Sequence, residues 1–252
     1  MLAEWLRHLT TPAPRAAKKL GYVRELIAIE ARHQRCRNAW APHLERSRRF
    51  VLDAADGLER RRKVTLLGSG LLLDVPLAEL AEKFTEVVLI DIVQMPAVRR
   101  QVSGFTNVRL VEDDLAGVVD DLAAGQRIEQ VPSANIPDGD ADLVVSLNLV
   151  TQLGVMLARR GVDAAALAAA HLAALRQLAG RVVMIAETER QWIEGGEVVE
   201  SDRPLETLDL PEPDATWAWN LAPAPEIDPR RDRRFTIAAY ADLSRNSTRA
   251  AP

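Results

Sequence analysis

Glycine and acidic residues directly follow two apolar segments of this 252-residue chain, at positions where they could bind a nucleoside. Gly68, Ser69 and Gly70 follow the apolar residues 64–67, and a glycine turn lets the backbone bend sharply and approach a ligand closely. Asp91 ends the next apolar segment, 23 residues after Gly68. A carboxylate at about that distance is typical of dinucleotide-binding folds, where it binds the hydroxyl groups of a ribose. The order and spacing of these residues favour a nucleoside-binding site.

Further polar candidates follow the three later apolar segments of the chain. A pair of acidic residues follows the third segment, where a purine would lie if its ribose were bound to Asp91. An acidic residue after the fifth segment could orient a cationic substrate or simply end the strand. In chain order, these candidates are Asp113, Asp114, Ser146, Asn148 and Glu187.

The apolar segments themselves predict a β-sheet that positions these residues. Five of them are continuous rather than alternating, which is typical of parallel strands buried by helices on both faces. Two later segments alternate between polar and apolar residues and predict an antiparallel hairpin at the sheet edge. The sequence therefore predicts a doubly wound, Rossmann-like α/β fold with a seven-stranded sheet, parallel except for an antiparallel C-terminal strand. The predicted strands cover residues 64–67, 87–90, 107–111, 142–146, 181–186, 215–220 and 234–240.

Apolar periodicity and prolines divide the chain into three parts. Prolines are expected to end a short helix over residues 1–12 and, at Pro42, to divide the helical segment 16–57 in two. Downstream, Asp74 is predicted to be the N-cap of another helix, with Pro76 in its first turn. The parts are a helical N-terminal extension (1–60), a Rossmann-like domain (61–241) and a flexible tail (242–252).

The N-terminal extension is basic, whereas the rest of the chain is acidic. Residues 1–63 carry a net charge of +8 and residues 64–252 a net charge of −12. Such a segment either binds a polyanion or packs against the acidic body, and packing is favoured because no aromatic or glycine-rich residues typical of RNA-binding segments accompany the arginines. Within the extension, His33, Trp40 and His43 are either part of a lid over the ligand site or ordinary helix packing. Ordinary packing is the favoured interpretation.

Composition and motifs exclude several classes of protein. Leu73 stands where the dinucleotide fingerprint has its third glycine, which disfavours a dehydrogenase, and a P-loop motif is absent. A single cysteine, Cys36, rules out a disulfide framework, and the four scattered histidines have no metal-ligand spacing. No apolar run approaches the roughly 18–20 residues of a membrane span, and no secretion signal is visible, so the cytoplasm is the expected compartment. The predominance of arginine over lysine suggests a GC-rich, bacterial genome.

Five segments carry a resemblance to a known family. They read VTLLGSG (64–70), VVLIDI (87–92), NVRLVEDDL (107–115), IPDGDADLVVSLNLVTQL (136–153) and GRVVMIAETER (180–190). In order and character they resemble the class I S-adenosylmethionine-dependent methyltransferases over about residues 60–240. The predicted terminal hairpin also matches that family, whose seventh strand is antiparallel. The resemblance implies S-adenosylmethionine as the cofactor and a methyltransferase activity.

The resemblance also implies roles for individual residues. The glycine loop would pass under the methionine part of the cofactor, and Asp91 would bind its ribose. Asp114, together with the backbone of Leu115, would contact the adenine. The residues assigned to the cofactor are Gly68, Ser69, Gly70, Asp91, Ile92, Asp114, Leu115 and Ser146, and those assigned to the border of the acceptor site are Ser146, Asn148 and Glu187.

The sequence departs from this family in the glycine loop. Most of these enzymes carry an acidic residue just before the first glycine, where this chain has Leu66 and Leu67, and the loop continues as LLLD (71–74) without a third glycine. A similar Gly-Ser-Gly with a proline-containing loop occurs in nicotianamine-synthase-like enzymes, which transfer the aminobutyrate part of the same cofactor. The expected function is methyl transfer to a small-molecule acceptor. The alternatives are aminobutyrate transfer, a non-catalytic nucleoside-binding or scaffold protein, and an RNA-directed methyltransferase that uses the basic helices.

The tryptophans of the predicted hairpin are a further pair of candidates. Trp217 and Trp219 alternate along one strand and therefore share one of its faces. They are expected to pack at the sheet edge rather than to form a substrate cage.

Overall fold

A mixed sheet forms the centre of the fold in the computed structural model, which describes residues 10–244. Nine residues of the predicted first helix and residues 245–252 of the predicted tail lie outside the described residues. Within the described part, the strands are β1 (Lys63–Leu67), β2 (Glu86–Asp91), β3 (Val108–Glu112), β4 (Leu143–Leu147), β5 (Arg181–Glu194), β6 (Glu197–Asp202), β7 (Ala215–Ala222) and β8 (Arg231–Tyr240).

The strand order is β3-β2-β1-β4-β5-β8-β7, and β6 pairs with β5. Strands β1 to β5 pair in parallel, whereas β8 runs antiparallel between β5 and β7. The order reverses between β1 and β4, because the chain builds outward from β1 to β3 and then returns to add β4 beside β1. This arrangement confirms the predicted doubly wound sheet with an antiparallel C-terminal strand. It also places a switch point at the carboxyl ends of β1 and β4, where open α/β sheets bind ligands.

The sheet has one more strand than predicted. β5 continues past its predicted end at Ala186 to Glu194 and forms a hairpin with β6. Gly195 and Gly196, both with positive φ angles (61° and 91°), make the two-residue turn between them. β6 could not be predicted from hydrophobic patterning, because every one of its residues is exposed and no apolar face is buried.

Helices cover the sheet, and the break in the N-terminal helical segment differs from the prediction. α2 (Tyr22–Arg35) ends and α3 (Arg37–Asp56) begins on either side of Cys36, whereas Pro42 lies inside α3. Proline removes one backbone donor from a helix, and here the helix continues despite that loss. No helix within residues 10–244 has the length and apolar character needed to cross a membrane. The helices are α1 (Arg15–Leu20), α2 (Tyr22–Arg35), α3 (Arg37–Asp56), α4 (Leu77–Lys83), α5 (Pro96–Val102), α6 (Val119–Ala124), α7 (Leu149–Ala158) and α8 (Ala164–Leu175).

The two faces of the sheet belong to separate hydrophobic clusters. Leu66 and Leu89 pack in a cluster with residues of α2, α3, α4 and α5. Leu67 and Ile90, the next residues along the same strands, pack on the opposite face with residues of α8. This alternation follows from the two-residue period of a strand, and it decides which strand-end side chains can reach a site on a given face.

Candidate functional site

A cavity of about 510 Å³ lies at the carboxyl ends of the parallel strands, at the switch point of the sheet. Residues of α2, α3 and the β7–β8 hairpin complete its wall. Most of the predicted site residues line it. They are Gly68, Ser69, Gly70, Asp91, Ile92, Asp113, Asp114, Leu115, Asn148 and Glu187.

Ser146 is the exception among the predicted site residues. Its side chain is fully buried, and its hydroxyl group lies 3.0 Å from Nε2 of His171 on α8. Val144, two residues earlier on β4, packs in the α8 cluster, so the two-residue period places Ser146 on that face as well. Ser146 therefore does not line the cavity, and its assignment to the cofactor and acceptor does not fit the geometry.

The glycine loop is held against the end of β2. The backbone N–H groups of Gly68 and Ser69 donate to the carbonyl oxygen of Ile90, at 3.0 and 3.1 Å. The N–H of Gly70 donates to Oδ2 of Asp91 at 2.8 Å. Both glycines have positive φ angles, 73° for Gly68 and 51° for Gly70. The loop and Asp91 thus form one hydrogen-bonded unit at the cavity wall.

The carboxylate of Asp91 is a partly buried acceptor with remaining capacity. Besides the bond from Gly70, the N–H of Val93 lies 3.4 Å from Oδ1. Burial raises the pKa of Asp91, while the backbone N–H groups of Gly70, Val93 and Ile92 oppose that rise. Because a carboxylate offers about four acceptor sites, Asp91 retains capacity for hydroxyl donors of a ligand.

The carboxylate of Asp114 has a local structural task. It accepts hydrogen bonds from the N–H groups of Ala116 (3.0 Å), Val118 (2.8 Å) and Val119 (2.7 Å). These bonds fix the loop that leads into α6, so both oxygens of Asp114 are engaged. Asp113 also lines the cavity, and its N–H donates to the carbonyl oxygen of Asp91 at 3.1 Å.

Asp74 lines the cavity and was not predicted as a site residue. It was expected to be an N-cap, but α4 begins at Leu77, with Pro76 in the cap position and no side-chain cap. Oδ2 of Asp74 instead accepts a hydrogen bond of 3.3 Å from Nδ2 of Asn148, which sits in a left-handed conformation at the end of β4. Aspartate is a preferred N-cap residue and proline is common in the first helical turn, so the sequence pattern predicted a helix cap instead of a cavity residue.

An aromatic cluster forms another part of the cavity wall. The ring of His43 stacks on Trp219, with centroids 4.1 Å apart and planes 8° apart. Trp40 and Phe235 meet Trp219 edge-on, at centroid distances of 5.0 and 5.8 Å. Trp40 and His43 line the cavity, which agrees with the interpretation that they cover the ligand site. His33 contacts Trp40 but does not line the cavity. Trp219 lines the cavity as well as packing on the hairpin.

Charged side chains adjoin the aromatic cluster. Glu187 is buried and accepts a hydrogen bond of 2.8 Å from Arg190. The guanidinium group of Arg233 lies over Trp192 and Phe235, 4.9 and 5.4 Å from the ring centroids. This part of the cavity combines flat apolar surfaces with paired charges. It therefore suits a small molecule that has both an apolar surface and polar groups.

His43 has a defined protonation state. The indole N–H of Trp217 lies 3.0 Å from Nδ1 of His43, and an indole nitrogen can only donate. Nδ1 is therefore the acceptor, and the neutral ring carries its proton on Nε2. Burial lowers the pKa of His43 to about 3. His43 is thus a hydrogen-bond donor in the cavity wall rather than a general base near neutral pH.

We expect His43 to remain neutral from pH 8 to pH 5. In the unfolded chain the imidazole takes up its proton near pH 6.5, but in the folded chain only near pH 3, so this residue's contribution to stability is lost as the pH falls from 6.5 towards 3. Nitrogen-15 NMR of histidine-labelled protein, assigned with His43→Gln, should show an Nε2–H tautomer without titration in that range. A titration midpoint near 6.5 would contradict this assignment.

We expect Gly68→Ala to destabilise the protein by about 1–3 kcal/mol. The φ angle is +73°, and a Cβ atom would lie 3.1 Å from Cβ of Leu149 and 3.3 Å from the carbonyl oxygen of Leu147. Gly104→Ala is the matched control, because nothing lies within 4 Å of the position of its Cβ. Chemical denaturation measures the free energy of unfolding of both variants. If Gly68→Ala were as stable as Gly104→Ala, the loop would tolerate the added side chain and the prediction would be wrong.

No protein-family model and no curated protein matches this chain. Among solved structures, the chain is similar to the protein of a "DhpI-SAM-HEP complex" (18% identity, 84% of this chain and 79% of that chain, TM-score 0.43). It is also similar to the Burkholderia thailandensis 1,6-didemethyltoxoflavin-N1-methyltransferase (13% identity, 78% of this chain and 78% of that chain, TM-score 0.41). A chain from a complex containing the Haloferax volcanii Trm112 methyltransferase activator also matches (13%, 56% and 53%, 0.36), and this chain spans about half of its length.

Proposed function

We propose that this protein is an S-adenosylmethionine-dependent methyltransferase with a small-molecule acceptor. The observation that carries the proposal is the unit formed by Asp91 and the glycine loop. Its carboxylate and the N–H of Gly70 lie 2.8 Å apart in the wall of a cavity at the switch point of the sheet. A carboxylate there accepts hydrogen bonds from a ribose, and the left-handed glycines let the backbone approach the ligand closely.

The residues of the cavity fit this cofactor. Asp91 would hold the ribose hydroxyl groups, and Asp113 and Leu115, farther along the same wall, would border the adenine. Two buried polar atoms that lack a protein partner, Oγ of Ser69 in the glycine loop and Oδ1 of Asn148, belong to residues that line the cavity. They suit the polar amino-acid end of the cofactor. When bound, the cofactor supplies an electrophilic methyl group on a sulfonium centre.

The aromatic end of the cavity would hold the acceptor. Trp219 and Phe235 would hold its apolar surface, and the N–H at Nε2 of His43 would donate to one of its oxygen or nitrogen atoms. Methyl transfer depends mainly on alignment and on exclusion of water when the acceptor is already nucleophilic. This wall therefore has to orient the acceptor rather than to activate it.

The N-terminal helices support a small acceptor rather than RNA. They contribute part of the cavity wall, through Tyr22, Glu25, Leu26, Ile29, Arg32, Trp40, His43 and Leu44. Two of their basic side chains pair with Glu226, which lies between β7 and β8: Arg35 at 2.6 Å and Arg32 at 3.8 Å. Such pairs favour packing of the two parts over a free polyanion-binding surface.

Methyl-labelled S-adenosylmethionine tests the proposal. The protein would be incubated with the low-molecular-weight fraction of a bacterial extract and, separately, with total RNA. We expect labelled product and S-adenosylhomocysteine only with the small-molecule fraction. Label in RNA would favour the nucleic-acid-directed enzyme, and no turnover with either, despite cofactor binding, would favour the non-catalytic protein. In a parallel incubation with cofactor labelled in its aminobutyrate carbons, transfer of that label together with release of 5′-methylthioadenosine would indicate the other transferase chemistry.

A further inference from the structure

Asp74 is a carboxylate in the cavity wall that forms no ion pair with any residue of the described part of the chain. Its side-chain partner is the amide of Asn148, at 3.3 Å. Arg48 is near enough to lower its pKa, but Arg48 donates to the carbonyl oxygen of Leu73. Burial dominates and raises the pKa of Asp74. A partly buried carboxylate that forms no ion pair is costly to desolvate, so Asp74 is suited to a cationic ligand.

Other unpartnered acceptors belong to residues beside Asp74. Oδ1 of Asn148, on the residue that bonds to Asp74, is buried without a partner, and so is Oγ of Ser69 in the glycine loop. Asn148 and Ser69 are 4% and 1% exposed, and both line the cavity. A primary ammonium group has three N–H donors and no acceptor, so it matches a set composed of one carboxylate, one amide oxygen and one hydroxyl group.

Asp74 lies in the part of the cavity that adjoins the glycine loop. Asn148 follows β4, and the next residue, Leu149, packs so close to Gly68 that a Cβ atom there would lie 3.1 Å from Cβ of Leu149. Leu66 and Leu67, which precede the loop, are both fully buried in the core and line no part of the cavity. The residues before the loop therefore supply no carboxylate to the cavity, whereas Asp74, which follows the loop in the chain, does.

We propose that Asp74 binds the primary ammonium group at the aminobutyrate end of the cofactor. Asn148 holds the carboxylate of Asp74 in position through its side-chain amide. This inference rests on the proposed function, because it takes S-adenosylmethionine as the ligand. It assigns a binding role to a residue that the sequence pattern gave to a helix cap.

Calorimetry with two ligands tests the assignment. S-adenosylhomocysteine carries the ammonium group, whereas 5′-methylthioadenosine has the same nucleoside and thioether but lacks the amino-acid end. In Asp74→Asn, which preserves the shape of the side chain, we expect the affinity for S-adenosylhomocysteine to fall by about tenfold or more, since a hydrogen-bonded charge pair is lost. The affinity for methylthioadenosine should stay within about twofold and shows that the pocket is still folded. Asp53→Asn is the control, because Asp53 is exposed on α3 and its loss removes the same charge outside the cavity.

Each result is decisive. A selective loss for S-adenosylhomocysteine in Asp74→Asn, absent in Asp53→Asn, supports the assignment. Unchanged affinity for S-adenosylhomocysteine, or an equal loss for both ligands, overturns it while leaving the proposed function intact. If the wild-type protein binds neither ligand, the proposed function fails and this inference fails with it.

Discussion

Replacement of Asp91 by alanine is expected to weaken binding of S-adenosylhomocysteine by more than tenfold. The substitution removes the acceptor for the ribose hydroxyl groups, and hydrogen bonds to a charged group contribute about 1.5–3 kcal/mol each, against about 1.4 kcal/mol for a tenfold change. It also releases the N–H of Gly70, which Asp91 holds at 2.8 Å. Isothermal titration calorimetry measures the loss directly.

Asp91→Ala should remain folded. Burial raises the pKa of Asp91, which means that the folded environment disfavours its charge, so removal of the charge relieves a desolvation cost near neutral pH. Asp120→Asn, which removes an exposed carboxylate in the first turn of α6, is the control. An Asp91→Ala variant that melts like the wild type and binds the ligand equally well would sink the ribose assignment.

The second large effect is expected from Trp219→Ala, which should lower the free energy of unfolding by about 3–5 kcal/mol. The side chain is 8% exposed and contacts three rings, namely Trp40, His43 and Phe235. These rings come from α3 and β8, so the indole joins the N-terminal helices to the C-terminal hairpin. Truncation leaves a large void where the two parts meet.

Trp219→Phe is the matched variant for this prediction. A phenyl ring keeps part of the stacking surface for His43, so its loss of stability should be clearly smaller than that of the alanine variant. Urea denaturation of both variants measures the difference. An alanine variant as stable as the wild type would show that the helices and the hairpin are held together without this ring.

The sheet could be predicted from the sequence because its signal is local. Continuous apolar segments such as Val87–Ile90 are distinctive of buried parallel strands, and the alternation from Ala215 onwards indicated the hairpin. β6 carries no such signal, because all its residues are exposed. The local sign of the β5–β6 hairpin in the sequence is the Gly195-Gly196 pair at its turn.

The place of a residue at the cavity could be predicted where the end of a strand fixes it, as for Asp91 at the end of β2. The role of Asp91 towards a ligand stays a prediction. Ser146 was misplaced because the sequence locates the end of a strand without fixing which face each side chain meets. Asp74 was misplaced because the same residue type serves helix caps. The contact between His43 and Trp219 joins residues far apart in the chain, and no spacing along the sequence reveals it.

The central claim is that the cavity binds S-adenosylmethionine through Asp91 and the glycine loop. The most direct test is isothermal titration calorimetry of the wild-type protein with S-adenosylhomocysteine. NAD is the comparison ligand, because other doubly wound α/β folds bind it at the same place in the sheet. We predict one site per chain with micromolar affinity for S-adenosylhomocysteine and no measurable binding of NAD. Absence of heat with S-adenosylhomocysteine, or preferential binding of NAD, would contradict the account.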